Sequence, residues 1–331
     1  MLFRKSPEQL MSEAEQALEQ LDFRKASRIA DQLLRMNHTA GFEYKARALW
    51  GMDQPQDAIA VLQRGVAVAP QVWILWEYLG HYLSDMGRYG EALEAFRNGL
   101  ACDGAPQDSF LYNLAIVYQR MGEHENALQM LDQAERVIGK LPIPVLETAR
   151  AYSLIHLQRY AEAERALQHA QRTLDTLSDP QTRLSTEAST LAYTGLLYHK
   201  RDRDDALAQQ YAERALRLDK ENHDAIALIR ATNPIAEKPT PLWHILVEGV
   251  WNEPLEGVRT PIGFFANYWV VADTPDEALE YIRPFEPPSA RVSLKVSEAE
   301  IEDTVQGEPK GVVRTHGGYI FFKRESEPRV M

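Results

Sequence analysis

The chain has 331 residues, 45% of them apolar and 25% charged, which is typical of a globular protein of about two domains. Its 36 basic and 48 acidic side chains give a net charge of −12, so we expect no binding to nucleic acid or to an anionic membrane surface. The single cysteine, Cys102, excludes an internal disulfide framework and a cysteine-rich zinc site, and the acidic residues after Met1–Pro7 disfavour a secretory signal. We expect a cytoplasmic protein.

A small residue recurs at similar intervals through the first two thirds of the chain, within a constant pattern of bulky, small and turn residues. A repeat of this kind has to be found before any other motif, because it determines the whole fold. The intervals are 32, 34, 35, 36 and finally 45 residues, measured between Ala26, Ala58, Ala92, Ala127, Ala163 and Ala208.

The clearest unit runs from Trp73 to about Pro106 and resembles the tetratricopeptide repeat (TPR), whose period is about 34 residues. The resemblance covers residues 7–220 and implies helical hairpins that stack, because no hairpin buries its own core. We therefore predict a mainly α fold, with five to six TPR hairpins forming a solenoid over residues 1–232. An unrelated helical bundle is the alternative, but it would not keep this period.

The pattern changes at a proline-rich segment, residues 233–241, which we interpret as a stiff linker or an edge loop. Residues 242–331 favour a small α+β two-layer domain. The residues around Tyr268 resemble small ferredoxin-like modules that occur in bacterial immunity proteins. The predicted elements are strands at His244–Val250, Phe264–Ala272 and Ser289–Val296, a helix capped by Thr274, and a final hairpin that turns at Gly317-Gly318.

No motif in the sequence indicates a catalytic or cofactor site, and we expect no cofactor and no metal. Three features could indicate a functional site, but each has a simpler structural explanation. His316 is expected at the shoulder of the final hairpin rather than in an active site. Cys102 is expected to be a small, partly buried residue at a helix end. The acidic run Glu298–Asp303 is expected to be a solvated helix face rather than a calcium site.

The first helix of each TPR hairpin usually lines the inner groove of the solenoid, and the resemblance carries specific positions over to this chain. A chaperone-tail clamp is doubtful, because Glu77, His81 and Val145 stand where that subclass needs lysine or asparagine. The predicted partner-binding residues are Glu43, Arg47, Trp50, Glu77, His81, Asp85, Tyr112, Gln119, Arg120, Tyr152 and His156.

Three functions remain open from the sequence. The first is a non-enzymatic, bacterial-type adaptor that binds a protein or peptide in the TPR groove. The second is an immunity-type or regulatory inhibitor, because an acidic protein suits a basic toxin or enzyme. The third is an enzyme whose site would use His244, His316 and Tyr319, although no spacing supports it. The sequence does not identify the partner or the oligomeric state.

Overall fold

A computed structural model describes residues 5–137, 142–254, 261–316 and 318–323. The chain divides into two compact units, an N-terminal unit of residues 1–141 and a C-terminal unit of residues 142–331. None of the helices in the described ranges is both long and apolar enough to cross a membrane.

The described part of the N-terminal unit consists of four helical hairpins at the predicted period. Within a hairpin the two helices pack together, and the first helices of neighbouring hairpins also contact each other, α1 with α3 and α3 with α5. The helices are α1 (Pro7–Glu19), α2 (Phe23–Arg35), α3 (Ala40–Gly51), α4 (Pro55–Val68), α5 (Trp73–Asp85), α6 (Tyr89–Leu100), α7 (Gln107–Arg120) and α8 (His124–Arg136).

Small residues at fixed places allow these helices to approach closely. Ala92, which marks the repeat, is fully buried. Gly80 on α5 lies against the ring of Phe96 on α6, where a Cβ atom would come within 2.6 Å of a ring carbon. Where α5 ends, Gly87 adopts a φ of +72°, a left-handed conformation that glycine adopts at little cost. The predicted pattern of small and turn residues therefore has a direct packing cause.

Gly80→Ala should destabilise the protein by about 1–3 kcal/mol, because the added methyl group overpacks the contact with Phe96. Gly90→Ala is the matched control, since no atom lies within 4 Å of its Cβ position, and it should stabilise by up to about 1 kcal/mol. Thermal unfolding of both full-length variants tests this. Equal shifts of the two midpoints in one direction would contradict the packing argument.

The C-terminal unit begins with two further hairpins and a final helix. The longer last interval of the repeat corresponds to a short 3₁₀ turn and to the 23-residue helix α11. Asp179 accepts a hydrogen bond from the backbone N–H of Thr182 and caps α11. The helices are α9 (Ile143–His156), α10 (Tyr160–Thr173), α11 (Pro180–Asp202), α12 (Asp205–Leu218) and α13 (His223–Ala231).

A small antiparallel sheet follows these helices, as predicted. Its strands are arranged in the order β3-β1-β2-β4, and β5 also pairs with β2. Two helices accompany the sheet, and the side chain of Thr274 caps the first of them as predicted. The elements are β1 (Thr240–Trp251), β2 (Ile262–Val271), α14 (Pro275–Ile282), α15 (Pro288–Arg291), β3 (Lys295–Val305), β4 (Gly311–Thr315) and β5 (Ile320–Phe322).

The predicted third strand, Ser289–Val296, is wrong over most of its length. Pro288 begins the short helix α15, and the strand starts only at Lys295. The acidic run Glu298–Asp303, predicted on a helix, lies in this strand instead. Since β3 is at an edge of the sheet and mostly exposed, charged residues are tolerated there and discourage pairing with other chains.

The predicted final hairpin is also wrong. Both β4 and β5 pair antiparallel with β2, one beside Tyr268–Val271 and the other beside Gly263–Phe265, instead of pairing with each other. Of the predicted turn, Gly317 lies outside the described residues. Because β4 and β5 lie one after the other along β2, no tight turn is needed to pair them with each other. The two glycines therefore did not indicate a hairpin.

The proline-rich segment before the sheet is held by backbone hydrogen bonds. Ala236 donates to the carbonyl of Glu308 at 2.8 Å, and Lys310 donates to the carbonyl of Pro234 at 2.9 Å. This arrangement matches the edge-loop interpretation of residues 233–241. The compact units divide at residue 141, whereas the domain boundaries at residues 232 and 242 stay a prediction.

One hydrophobic core joins the last helices of the C-terminal unit to the sheet. Ile226, Leu228 and Ile229 of α13 are buried in the same cluster as the β2 residues Phe264 and Tyr268. A terminal hairpin exposes an apolar face that needs cover. The sheet supplies that cover, as expected for an end cap.

A buried polar cluster fastens the α12–α13 connection to the sheet. The carboxylate of Glu286, which is fully buried, accepts hydrogen bonds from Lys220 Nζ at 2.8 Å, from Tyr319 Oη at 2.9 Å and from Tyr268 Oη. The Lys220 ammonium also lies 4.0 Å from the centroid of the Tyr319 ring. Burial lowers the pKa of Lys220, and the attraction of Glu286 opposes that effect.

Glu286→Leu should destabilise the protein by about 3–5 kcal/mol, because it leaves the Lys220 ammonium buried without its counter-ion. The double variant Lys220→Met/Glu286→Leu should recover part of this loss, since both charges are then removed. Chemical unfolding of the two variants measures the difference. A double variant less stable than Glu286→Leu would exclude this explanation.

Candidate functional site

The first helices of the hairpins in the N-terminal unit form a layer that carries nine of the predicted partner-binding residues, of which Glu43 and Gln119 are buried. We call these side chains, with their neighbours on α1, α3, α5 and α7, the A-helix face. Glu43, Arg47 and Trp50 lie on α3, Glu77, His81 and Asp85 on α5, and Tyr112, Gln119 and Arg120 on α7.

Arg47 is the centre of an ion-pair network between α1 and α3. Its guanidinium donates to both carboxylate oxygens of Glu15, at 2.7 and 2.8 Å, and to Glu43 at 3.1 Å. The hydrogen bonds from Arg47 lower the pKa of Glu15. Glu43 is only 8% exposed, and burial raises the pKa of its carboxyl despite the same arginine. One guanidinium therefore serves two carboxylates.

Aromatic rings continue the face from α3 to α5. Trp50 stacks on Tyr82 with ring centroids 4.0 Å apart and an angle of 11° between the planes. Tyr78 lies 6.0 Å from Tyr82, and the Arg47 guanidinium lies 5.6 Å from the Tyr78 ring. Trp50 and Tyr78 are only half-buried, so a partner could reach them. Rigid aromatic side chains of this kind commonly anchor protein interfaces.

Burial shifts the pKa values of Glu77 and His81 towards their neutral forms. Burial and the repulsion of Glu43 raise the pKa of Glu77. Burial of the imidazole lowers the pKa of His81, and the charge of Asp85 opposes this shift. The His81 residue as a whole is still exposed to solvent. The His81 ring packs edge-on against Phe96, with centroids 5.2 Å apart.

Hydrogen bonds connect α5 with α7. Arg120 donates to Asp85 and to Ser84, both at 2.9 Å. Asp85 and Arg120 are exposed, whereas Gln119 is buried and Tyr112 is half-buried. The structure therefore brings Glu43 and Arg47 into contact, and likewise Asp85 and Arg120.

The two remaining predicted residues, Tyr152 and His156, lie on α9 of the C-terminal unit. Their rings are 4.5 Å apart, and Tyr152 lies 5.0 Å from Tyr193 on α11. The Tyr193 hydroxyl donates to Asp224 at 2.8 Å. Burial raises the pKa of Tyr152, and the charge of Asp224 adds to that effect.

The sequence analysis missed Glu15, Tyr78 and Tyr82 on the A-helix face, and Tyr193 and Asp224 in the C-terminal unit. Glu15 could have been found, because it precedes Arg47 by 32 residues, the same interval that separates the first two repeats. Tyr78 and Tyr82 occupy repeat positions that face the preceding hairpin and were not among the groove positions considered.

The residues weighed for catalysis do not converge on one reactive centre. His244 stacks on Trp269 at 4.6 Å, and His316 meets the same indole edge-on at 5.1 Å. Tyr319 instead donates to Glu286 in the buried cluster. Burial raises the pKa of the Cys102 thiol. Within the ranges that the structure describes, no group of three His, Cys, Asp or Glu side chains could hold a metal ion.

Comparison with known proteins identifies the repeat. The tetratricopeptide repeat family model matches residues 108–138, which include most of α7 and all of α8. A chain from the crystal structure of the APC/C hetero-tetramer Cut9–Hcn1 superposes with a TM-score of 0.54 at 14% identity, over 66% of this chain and 41% of that chain. Residues 108–138 therefore match a tetratricopeptide repeat, and the helical hairpins of this protein share the fold of such repeats.

Two further structures match with lower TM-scores. One is from a study of PilF of Pseudomonas aeruginosa, with a TM-score of 0.48 and 15% identity over 65% of this chain and 93% of that one. The other is a TPR protein from Parabacteroides merdae, with a TM-score of 0.46 and 12% identity over 68% and 98%. This chain spans less than half of the Cut9–Hcn1 chain that it matches. No curated protein matches it in sequence. The resemblance of the sheet module to ferredoxin-like or immunity modules is not confirmed.

Glu77→Gln should raise the midpoint of thermal unfolding at pH 7. Burial makes the pKa of the Glu77 carboxyl higher in the folded protein than in the unfolded chain. The folded protein therefore loses stability as the pH rises through the pKa of the folded state. The gain should shrink towards pH ~4, where the carboxyl is largely protonated in both states. Glu94→Gln, at an exposed site on α6, is the control and should show no such trend. A gain that does not depend on pH would contradict the assignment.

Proposed function

We propose that the protein is a non-enzymatic, cytoplasmic, bacterial-type adaptor that binds a segment of a partner protein on its A-helix face. The observation that supports this most is the half-buried Trp50, which stacks on the buried Tyr82 beside the charged residues of α3 and α5. Part of Trp50 remains exposed to solvent and is available to a partner.

The tetratricopeptide fold gives further support, because such repeats form extended surfaces for other proteins. The partner would be a protein or peptide rather than a nucleic acid, since the chain carries a net charge of −12. A matching structure with a TM-score of 0.54 is that of the hetero-tetramer Cut9–Hcn1. No observation favours the immunity-type inhibitor, which is not proposed.

Selection of peptides from a random display library on the full-length protein tests the proposal. Peptides that bind should lose about tenfold or more in affinity on Trp50→Ala, the loss typical of an aromatic anchor. Asp85→Lys, at an exposed position, is a second variant that should also weaken binding without disturbing the core. Its control is Glu94→Lys, the same charge reversal on the second helix of that hairpin.

Affinities are measured by fluorescence anisotropy, and circular dichroism confirms that each variant is folded. Selected peptides that bind Trp50→Ala and Asp85→Lys as tightly as they bind the unaltered protein would exclude the A-helix face as the binding surface. Failure to select any peptide would count against the adaptor function itself.

A further inference from the structure

The A-helix face contains the same Glu-Tyr pair twice, one repeat apart. Glu43-Tyr44 on α3 and Glu77-Tyr78 on α5 are separated by 34 residues. The residue four places after the glutamate differs between the two copies. It is Arg47 in the first and His81 in the second.

The first copy holds a guanidinium group. Arg47 donates to Glu43, and it lies 5.6 Å from the centroid of the Tyr44 ring. Glu15, from the preceding hairpin, accepts two more hydrogen bonds from it. Tyr78 of the second copy also contributes its ring, again at 5.6 Å. The carboxylate and the ring of such a pair are therefore placed to bind a planar cation.

The second copy has the same two residues, but in the described ranges the only cation near it is Arg47 of the first copy, which faces the Tyr78 ring and pairs with other carboxylates. Among the described residues, no side chain forms a hydrogen bond or an ion pair with Glu77. His81 lies 3.4 Å from Asn113, and its lowered pKa keeps the imidazole neutral near pH 7. Glu15, Glu43 and Glu77 together face one arginine, so this part of the face carries two uncompensated negative charges when all three are ionised.

We propose that the partner supplies the missing cation: an arginine side chain of the bound segment, with lysine as a weaker substitute, pairs with Glu77 on the A-helix face. This inference rests on the proposed function, because it assumes that a partner segment binds there. It adds the chemical class of the side chain that is recognised. An arginine would meet at Glu77 and Tyr78 the groups that Arg47 meets at Glu43 and Tyr44 one repeat earlier.

The surroundings favour an organic cation over a hydrated metal ion. Trp50 and Tyr78 are half-buried aromatic side chains on this part of the face, and Tyr78 lies close enough to Glu43 and Glu77 to be affected by their charges. Aromatic rings attract guanidinium and ammonium groups through their negative faces. Arginine is preferred because its planar fork donates two parallel hydrogen bonds to a carboxylate, whereas lysine provides a point charge. The net charge of −12 would also steer a basic segment towards the protein.

The experiment uses peptides selected on the full-length protein, synthesised with each arginine replaced in turn by its neutral isostere citrulline, or by lysine. One citrulline replacement should reduce affinity about tenfold or more, as for a charge-assisted hydrogen bond, and lysine should retain part of the affinity. Glu77→Gln should remove the difference between arginine and citrulline at that position. Glu77→Lys should shift a new selection towards acidic peptides.

His81→Arg is the sharpest variant, because it places within the chain the cation that the first copy already has. It should lower the affinity for the arginine peptide about tenfold, since the new guanidinium can pair with Glu77 as Arg47 pairs with Glu43. The same ion pair should make the folded state more stable. Glu94→Gln changes the net charge by the same amount away from the A-helix face, and it should leave the affinity unchanged.

Two different results would overturn the proposal. If selected peptides depend on Trp50 but contain no basic residue, or tolerate citrulline at every position, the cation inference fails and the adaptor function stands. The same holds if Glu77→Gln leaves the preference for arginine intact. If no peptide is selected, or if the selected peptides are indifferent to Trp50→Ala, both proposals fail together.

Discussion

The structure depends on close packing between helices, and small residues make this packing possible. The two helices of a hairpin pack together and each hairpin packs against the next, so alanine and glycine must recur wherever two helices meet. Ala92 and Gly80 illustrate this, the first fully buried and the second directly against the ring of Phe96. The period of the sequence follows from this packing, and so do the turns that end each first helix.

On one side of the first helices several side chains stay partly or fully exposed, among them Trp50, Tyr78 and Asp85. In the N-terminal unit that side collects carboxylates, tyrosines, a tryptophan and few cations. A single guanidinium, Arg47, satisfies two carboxylates, and Glu77 is left without a cation among the described residues. Uncompensated charge beside aromatic rings costs stability and offers nothing to the fold, which is why we assign it to recognition.

Strand positions were harder to predict than helices, and the reasons are visible in particular residues. The alternation around Val292 and Leu294 looked like a strand, yet Pro288 starts a helix there and the strand follows later. The acidic residues of β3 fit a helix face equally well in sequence terms. Only their position at the sheet edge explains why charge is tolerated in a strand. The glycines near residue 317 indicated a hairpin, whereas β4 and β5 both pair with β2.

The sequence by itself determined the helical repeat, its period and most of the residues on the A-helix face, because both the packing and the exposed positions recur at one interval. It also contained the paired Glu-Tyr motif and the exchange of Arg47 for His81. Only the tertiary structure decided that Glu15 and Tyr78 complete the surroundings of Arg47, that Glu77 is left without a partner among the described residues, and that Glu286 joins Lys220 to the sheet. These contacts join residues from different hairpins, or from distant parts of the chain, and a repeat interval does not specify which side chains will meet across them.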